Sequence, residues 1–159
     1  MKDLEIKINV TFCQTDELAT EHQELVRRAI EATRNSYAPY SRFHVGAALR
    51  LANGHIVIGA NQENAAFPSG LCAERTAIFA AQAHYPDQSI TALAIAARND
   101  RGLTDTPVTP CGACRQVGLE MEGRYRQPIR VLLYGTKGVY TVQSMHDLVP
   151  LSFSDGMMR

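Results

Sequence analysis

Apolar and polar residues alternate from Leu4 through Ile6, Ile8 and Val10 to Phe12, a period of two that predicts an extended arm or an edge strand over residues 1 to about 15. Between Thr15 and Tyr37 the period changes. Leu18, Leu25, Val26, Ala29, Ile30 and Thr33 recur at helical spacing, with Glu21, Glu24, Arg27, Arg28 and Glu31 between them. This amphipathic helix begins at either Thr15 or Thr20, the latter carrying a capping-box pattern with Gln23. Ala38-Pro39-Tyr40-Ser41 breaks it. Val45 to Leu51 and Ile56 to Ala60 then flank Asn53-Gly54, a hairpin signal. An Ala-rich stretch from Cys72 to about His84 reads as a helix ending near Pro86, and Ile90 to Ala96 as a buried strand. A further helix is expected from Cys111 to about Met121, followed by strands over Ile129–Tyr134 and Gly138–Val142. The order α, β, β, α, β, α, β, β predicts a mixed sheet sandwiched between helices.

Composition narrows the class. The 159 residues, 45% of them hydrophobic and 20% charged, suit one soluble domain over 1–159, with residues 1–20 as an arm of no assigned role. Sixteen basic residues balance sixteen acidic ones, leaving no field to gather a nucleic acid or an anionic membrane. No stretch approaches signal-peptide or membrane-spanning character, so a cytoplasmic protein is expected.

Of the four cysteines, Cys13 has no partner at useful spacing and reads as an idle thiol. The other three fall at two predicted helix starts, as Cys72-Ala73-Glu74 and Pro110-Cys111-Gly112-Ala113-Cys114. Cys-x-x-Cys at a helix start lets both sulfurs reach one ion, and the free amides and helix dipole favour thiolate. Cys72 adds a third sulfur, which leaves one position of a tetrahedral zinc open, as in catalytic sites. One Zn²⁺ per chain is expected. Glu74, two residues after its ligand, is placed to take a proton from a metal-activated water and return it to substrate and leaving group. Ligand-x-Glu followed by Pro-Cys-x-x-Cys is the signature of zinc nucleobase deaminases. Three thiolates leave the centre net negative, so Arg75 and Arg115 are expected to donate charge-assisted hydrogen bonds to the sulfurs.

These residues resemble the cytidine deaminase family in its small homotetrameric form with three cysteine ligands. The resemblance runs from about Leu25 to Phe153 through Tyr37-Ala38-Pro39-Tyr40-Ser41-Arg42-Phe43-His44-Val45-Gly46, Asn61-Gln62-Glu63-Asn64, Cys72-Ala73-Glu74-Arg75 and Pro110-Cys111-Gly112-Ala113-Cys114-Arg115. It implies a three-layer α/β/α sandwich with a five-stranded mixed sheet and zinc at the two helix starts. It also implies that Asn61 and Glu63 bind the ribose 3′-hydroxyl, that Phe43 packs on the pyrimidine, and that the Ala73 amide meets the ring O2. Leu148-Val149-Pro150-Leu151-Ser152-Phe153 is similar to the family's C-terminal pattern, whose aromatic reaches a neighbouring subunit's site. A homotetramer with Phe153 serving another chain is the corresponding expectation. Where the family often shows Ser-Tyr-Gly, this chain has Ala66-Phe67-Pro68, which affects the region near the substrate's 5′ end.

The expected activity is therefore hydrolysis of the exocyclic amine of free cytidine or deoxycytidine, in pyrimidine salvage. Alternatives are a deaminase of a nucleoside antibiotic such as blasticidin S, an editing deaminase acting on RNA or DNA, and a non-catalytic zinc-stabilised binding module. The balanced charge gives the editing enzyme little to hold a phosphate chain, and an intact Glu74 has no use in the binding module.

Overall fold

A computed structural model describes residues 1–159. Seven strands form one mixed sheet: β1 (Thr11–Cys13), β2 (His44–Leu51), β3 (Ile56–Ala60), β4 (Ile90–Asn99), β5 (Gly102–Leu103), β6 (Arg130–Gly135) and β7 (Gly138–Val142). Their order is β1-β7-β6-β4-β2-β3, with β5 folded back on the end of β4. Only β4 and β6 run parallel; the other pairings are antiparallel. Three helices complete the fold: α1 (Thr20–Ala32), α2 (Ala73–His84) and α3 (Gly112–Tyr125).

The two faces of the sheet follow from strand alternation. Ala48, Ala92, Ala94, Ala96, Leu132 and Val139 face α1 and pack on Leu25, Val26 and Ala29. Leu49, Leu51, Leu93, Ile95, Val131 and Leu133 face the other way, against Ala73, Ala77, Ile78 and Ala81 of α2, with Val117 and Met121 of α3 at the margin. The result is the expected three-layer sandwich. No helix is long and apolar enough to cross a membrane.

The strand count corrects the expectation of five. The two additions are β1, which adds three residues to the free edge of β7, and β5, a two-residue return after the turn at Gly102 (φ 113°). β1 lies at the end of the arm whose alternation through Phe12 allows an edge strand, whereas β5 is too short to show a period of its own. Of the two expected starts α1 takes Thr20, but the expected capping box is corrected: the N-cap is Ala19 and no side chain caps the helix. Gln23 instead donates to the Leu18 carbonyl at 2.8 Å. A capping box does form one turn earlier, between Gln14 and Glu17, on the short 3-10 turn Thr15–Glu17.

Close backbone approach fixes the layer that carries the site. A Cβ on Gly59 of β3 would overlap the Ala73 carbonyl oxygen and the Ala77 amide. The first turn of α2 therefore lies directly on the strand, with no side chain between them.

Candidate metal centre and substrate cleft

Cys72 is the N-cap of α2 and Cys111 the N-cap of α3, while Cys114 lies in the first turn of α3. The three sulfurs lie within 4.8 Å of one another, with Cys72 Sγ to Cys111 Sγ at 3.8 Å and Cys111 Sγ to Cys114 Sγ at 3.5 Å. Cys114 is buried, Cys72 half-buried and Cys111 exposed. This donor set fits zinc: three sulfurs converge on one point from two helix starts, and one side is open to the exterior. Neither helix start is capped by a side chain, and the Ala73 amide has no partner within the chain.

One sulfur of the cluster is biased towards thiolate. Cys72 is lowered to a pKa of about 5, first by a hydrogen bond from the Cys114 thiol and then by Arg75, whose Nη2 donates to Cys72 Sγ at 3.7 Å. Cys114 is pushed the other way by donating that bond, by burial and by the Glu74 charge. One proton held between two sulfurs explains both directions, and a dication at the cluster removes the reason for it.

Glu74 is 4% exposed, in the first turn of α2. Burial raises its pKa, and the charge on Cys72 adds to the effect. A carboxyl group so placed takes up a proton more readily than one in water.

Next to the cluster lies a cleft of about 310 Å³, which Cys72 and Arg75 share with Asn61, Glu63, Tyr40, Phe67 and Leu71. The cleft thus brings together the metal end and both residues expected at the sugar. Part of their bonding capacity is already in use. Asn61 Oδ1 accepts from the Val45 amide at 2.8 Å, and Nδ2 donates to the Phe43 carbonyl at 2.9 Å. Glu63 Oε2 accepts from the Tyr40 and Ser41 amides at 2.9 and 3.2 Å, and Oε1 from the Ser41 hydroxyl. These bonds, the Ser41 hydroxyl foremost, hold the Glu63 carboxyl below the usual range.

Three expected residues lie elsewhere. Phe43 is half-buried and is not part of the cleft wall. Arg115 makes no hydrogen bond to a sulfur, which corrects that expectation. Its donors reach the Pro110 carbonyl at 2.8 Å, the Leu148 carbonyl at 3.0 Å and the Thr109 hydroxyl at 3.3 Å. With oxygen acceptors taken on both sides of its helix start, Arg115 ties the loop before α3 to the C-terminal segment. Phe153, 58% exposed, runs along α3, where its carbonyl accepts from Gln116 Nε2 at 3.0 Å.

Conversely, Tyr40 and Phe67 form an edge-to-face pair on the cleft, with centroids 5.7 Å apart at 77°. The sequence places Tyr40 in a helix-breaking stretch and in the run Tyr37 to Gly46 that carries the resemblance, but gives it no role of its own. Glu122 carries no sequence signal at all. Its carboxylate accepts from the Ile129 and Met145 amides at 2.6 and 2.7 Å and from the Ser144 hydroxyl, anchoring the far end of α3.

The description "Cytidine and deoxycytidylate deaminase zinc-binding region" belongs to the family model that matches residues 19–125. A cytidine deaminase of Halalkalibacterium halodurans is 46% identical over 101 residues, 64% of this chain and 72% of that one. One from Sporosarcina psychrophila is 39% identical over 132 residues, 83% and 90% of the two chains. Among solved structures, a cytidine deaminase from Burkholderia pseudomallei superposes with a TM-score of 0.70 at 38% identity, covering 83% of this chain and 98% of that one.

Proposed function

From the premise that this chain belongs to the cytidine and deoxycytidylate deaminase zinc-binding family, we propose that it hydrolyses free cytidine and deoxycytidine to the uracil nucleosides and ammonia. The observation that carries this reading is a buried carboxylic acid beside three convergent sulfurs at the end of a cleft of nucleoside size. Cys72, Cys111 and Cys114 would hold one zinc, whose chemistry when bound would be to acidify a water for attack on the ring carbon bearing the amine.

The chain's own groups do the rest. Glu74 accepts the proton at its carboxylate, and the same burial that raises its affinity for that proton keeps bulk water from taking it. It hands that proton to the ring nitrogen, then takes a second proton from the hydroxyl now on the ring carbon and delivers it to the amine, so that ammonia leaves as the carbonyl forms. The free Ala73 amide at the start of α2 donates to the ring O2, and Arg75 holds the Cys72 sulfur. Asn61 keeps one N–H and Glu63 one lone pair beyond the bonds they already make, enough to accept and donate once with a single sugar hydroxyl. Phe43 directly follows the turn that Glu63 holds, and packs on the pyrimidine in this reading. The reading extends to a homotetramer, to a cytoplasmic location and to a role in pyrimidine salvage. It is supported by the resemblance in the C-terminal segment and by the solvent exposure of Phe153 in one chain.

Purified protein given cytidine, deoxycytidine, cytosine, adenosine and blasticidin S separately, with ammonia release followed, tests it. Turnover of the two cytosine nucleosides alone is expected. Equal turnover of free cytosine removes the sugar assignment, and activity on blasticidin S alone overturns the reading.

A further inference from the structure

A second polar concavity lies at the end of the sheet opposite the cysteines. Strand register pairs Arg50 of β2 with Ala92 of β4, and Ala92 in turn with Arg130 of β6. Residues paired in this way share a face, so the two arginines flank one alanine on the α1 side, about 10 Å apart at the backbone by two strand spacings. The alanine does not fill the space between them. A cavity of about 470 Å³ opens there, with His22 from the first turn of α1 and Gln143 on its wall and a single hydrophobic residue in its lining.

The positive charge in this cavity is only partly neutralised. Arg50 Nη2 bonds the Glu24 carboxylate at 2.9 Å and the Glu21 carbonyl at 3.0 Å, but its Nε is buried with no partner. Arg130 donates to the Gln143 side-chain oxygen at 2.9 Å and pairs with no carboxylate. The Glu21 carboxylate approaches His22, at 3.9 Å. Two guanidinium groups facing one gap repel each other, and a buried N–H without an acceptor is costly. An oxyanion between the two guanidinium groups relieves that repulsion, and their forks match phosphate geometry.

We propose that this concavity binds a phosphate group, free or carried on a small sugar phosphate, between Arg50, Arg130 and His22. The imidazole reports on occupancy. Burial holds the His22 pKa below its ordinary value, followed by the charge of Arg130, with Arg50 adding to this and Glu21 opposing it. These are the charged groups that face it from β6, β2 and its own helix. A bound anion reverses the local field and raises that pKa, so binding takes up a proton and tightens as pH falls through the range of the imidazole.

The test titrates inorganic phosphate and ribose 5-phosphate separately into the zinc-loaded protein by calorimetry, with the His22 ring proton followed by NMR. Saturable binding and an upward shift of the His22 titration are expected. In Arg130→Gln binding should weaken at least about tenfold, the effect of losing one charge-assisted contact, with cytidine turnover unchanged. Arg130→Lys, which keeps the charge but loses the fork, should fall between parent and glutamine variant. Tighter binding of ribose 5-phosphate assigns the site to a phosphorylated metabolite, and equal affinity to free phosphate. If neither ligand saturates, if the His22 titration does not move, or if all three proteins bind equally well, the site does not exist.

Discussion

Replacing Glu74 by glutamine keeps the side chain's shape while removing its capacity to take up a proton. Glu74→Gln should retain one zinc per chain and still bind nucleoside, yet lose roughly 10²–10⁴-fold in kcat, the range of general acid–base assistance. Metal analysis alongside steady-state kinetics checks it, and near-normal turnover would remove the mechanism. The turn held by Glu63 gives a second prediction. A carboxyl depressed by hydrogen bonds stabilises the fold above its ordinary range and loses that contribution as pH falls through the depressed value. Since Ser41 is the largest cause, Ser41→Ala should move the Glu63 titration upward, measured by side-chain carboxyl NMR. The same substitution should raise KM for cytidine with little change in kcat if, as proposed, Glu63 meets the sugar and not the reacting carbon. An unmoved Glu63 titration would show that the turn's main-chain amides hold the carboxylate unaided. At this scale the sulfurs and Glu74 were legible because their chemistry depends on spacing along two helix starts, which a linear chain displays. The use made of Arg115 was not legible. Its acceptors at Pro110 and Leu148 come from the approach to α3 and from a segment 33 residues on, and a neighbour of a ligand in sequence can point away from it.

Gly59 is where strand and helix meet without side chains between them, so it tests how far the position of α2 governs the site. Gly59→Ala should destabilise by about 1–3 kcal/mol, the usual cost of overpacking, because the overlapping atoms are backbone of α2 and cannot rotate away. Zinc affinity should fall with it, since Cys72 caps that helix. Gly123→Ala in α3 is the matched control. An added Cβ there meets nothing within 4 Å, and the helix should gain about 0.5–1 kcal/mol from lower backbone entropy loss. Denaturant melts of both variants decide it; a neutral Gly59→Ala would mean that α2 can shift at no cost. The long elements were legible from periodicity and turn chemistry, with the hairpin around Asn53-Gly54 and the span of α2 placed almost as found. The edges were legible only in part. The alternation through Phe12 allows an edge strand, but the three residues of β1 and the two of β5 are delimited by tertiary pairing with β7 and β4, and the C-terminal turn of α3 continues past Met121 to Tyr125 because Glu122 is bonded to the next strand's entry.

For the whole molecule the question is what covers the surface that one chain leaves open. A folded monomer of this mass exposes about 7,900 Å² by the usual scaling, whereas this chain exposes 9279 Å². The surplus exceeds the roughly 800 Å² that one partner contributes to an interface of standard size. Apolar groups contribute to it: Phe67 is 74% exposed, Leu151 81% and Phe153 58%, with the N-terminal arm adding Leu4 and Val10. In the homotetramer proposed above that surface is covered by other copies; light scattering of the zinc-loaded protein should then return four times the chain mass, and Phe153→Ala should leave that mass and the zinc content unchanged. If the Phe153 ring closes the pyrimidine pocket, its loss costs ~1–3 kcal/mol of stacking, a rise in KM of roughly 5- to 150-fold. A kinetic defect alone does not say which chain supplies the ring, but mixing does. Glu74→Gln subunits have no proton carrier but keep Phe153, and Phe153→Ala subunits are the reverse. When the two are dissociated and reassembled together, a ring supplied across the interface restores a low KM at those sites whose Glu74 belongs to one chain and whose Phe153 belongs to the other. A ring supplied within the chain restores nothing, because every intact Glu74 then sits beside its own alanine. Recovery that rises with the fraction of mixed assemblies places the site between subunits, and the absence of recovery, or a fully active monomer, places it within one.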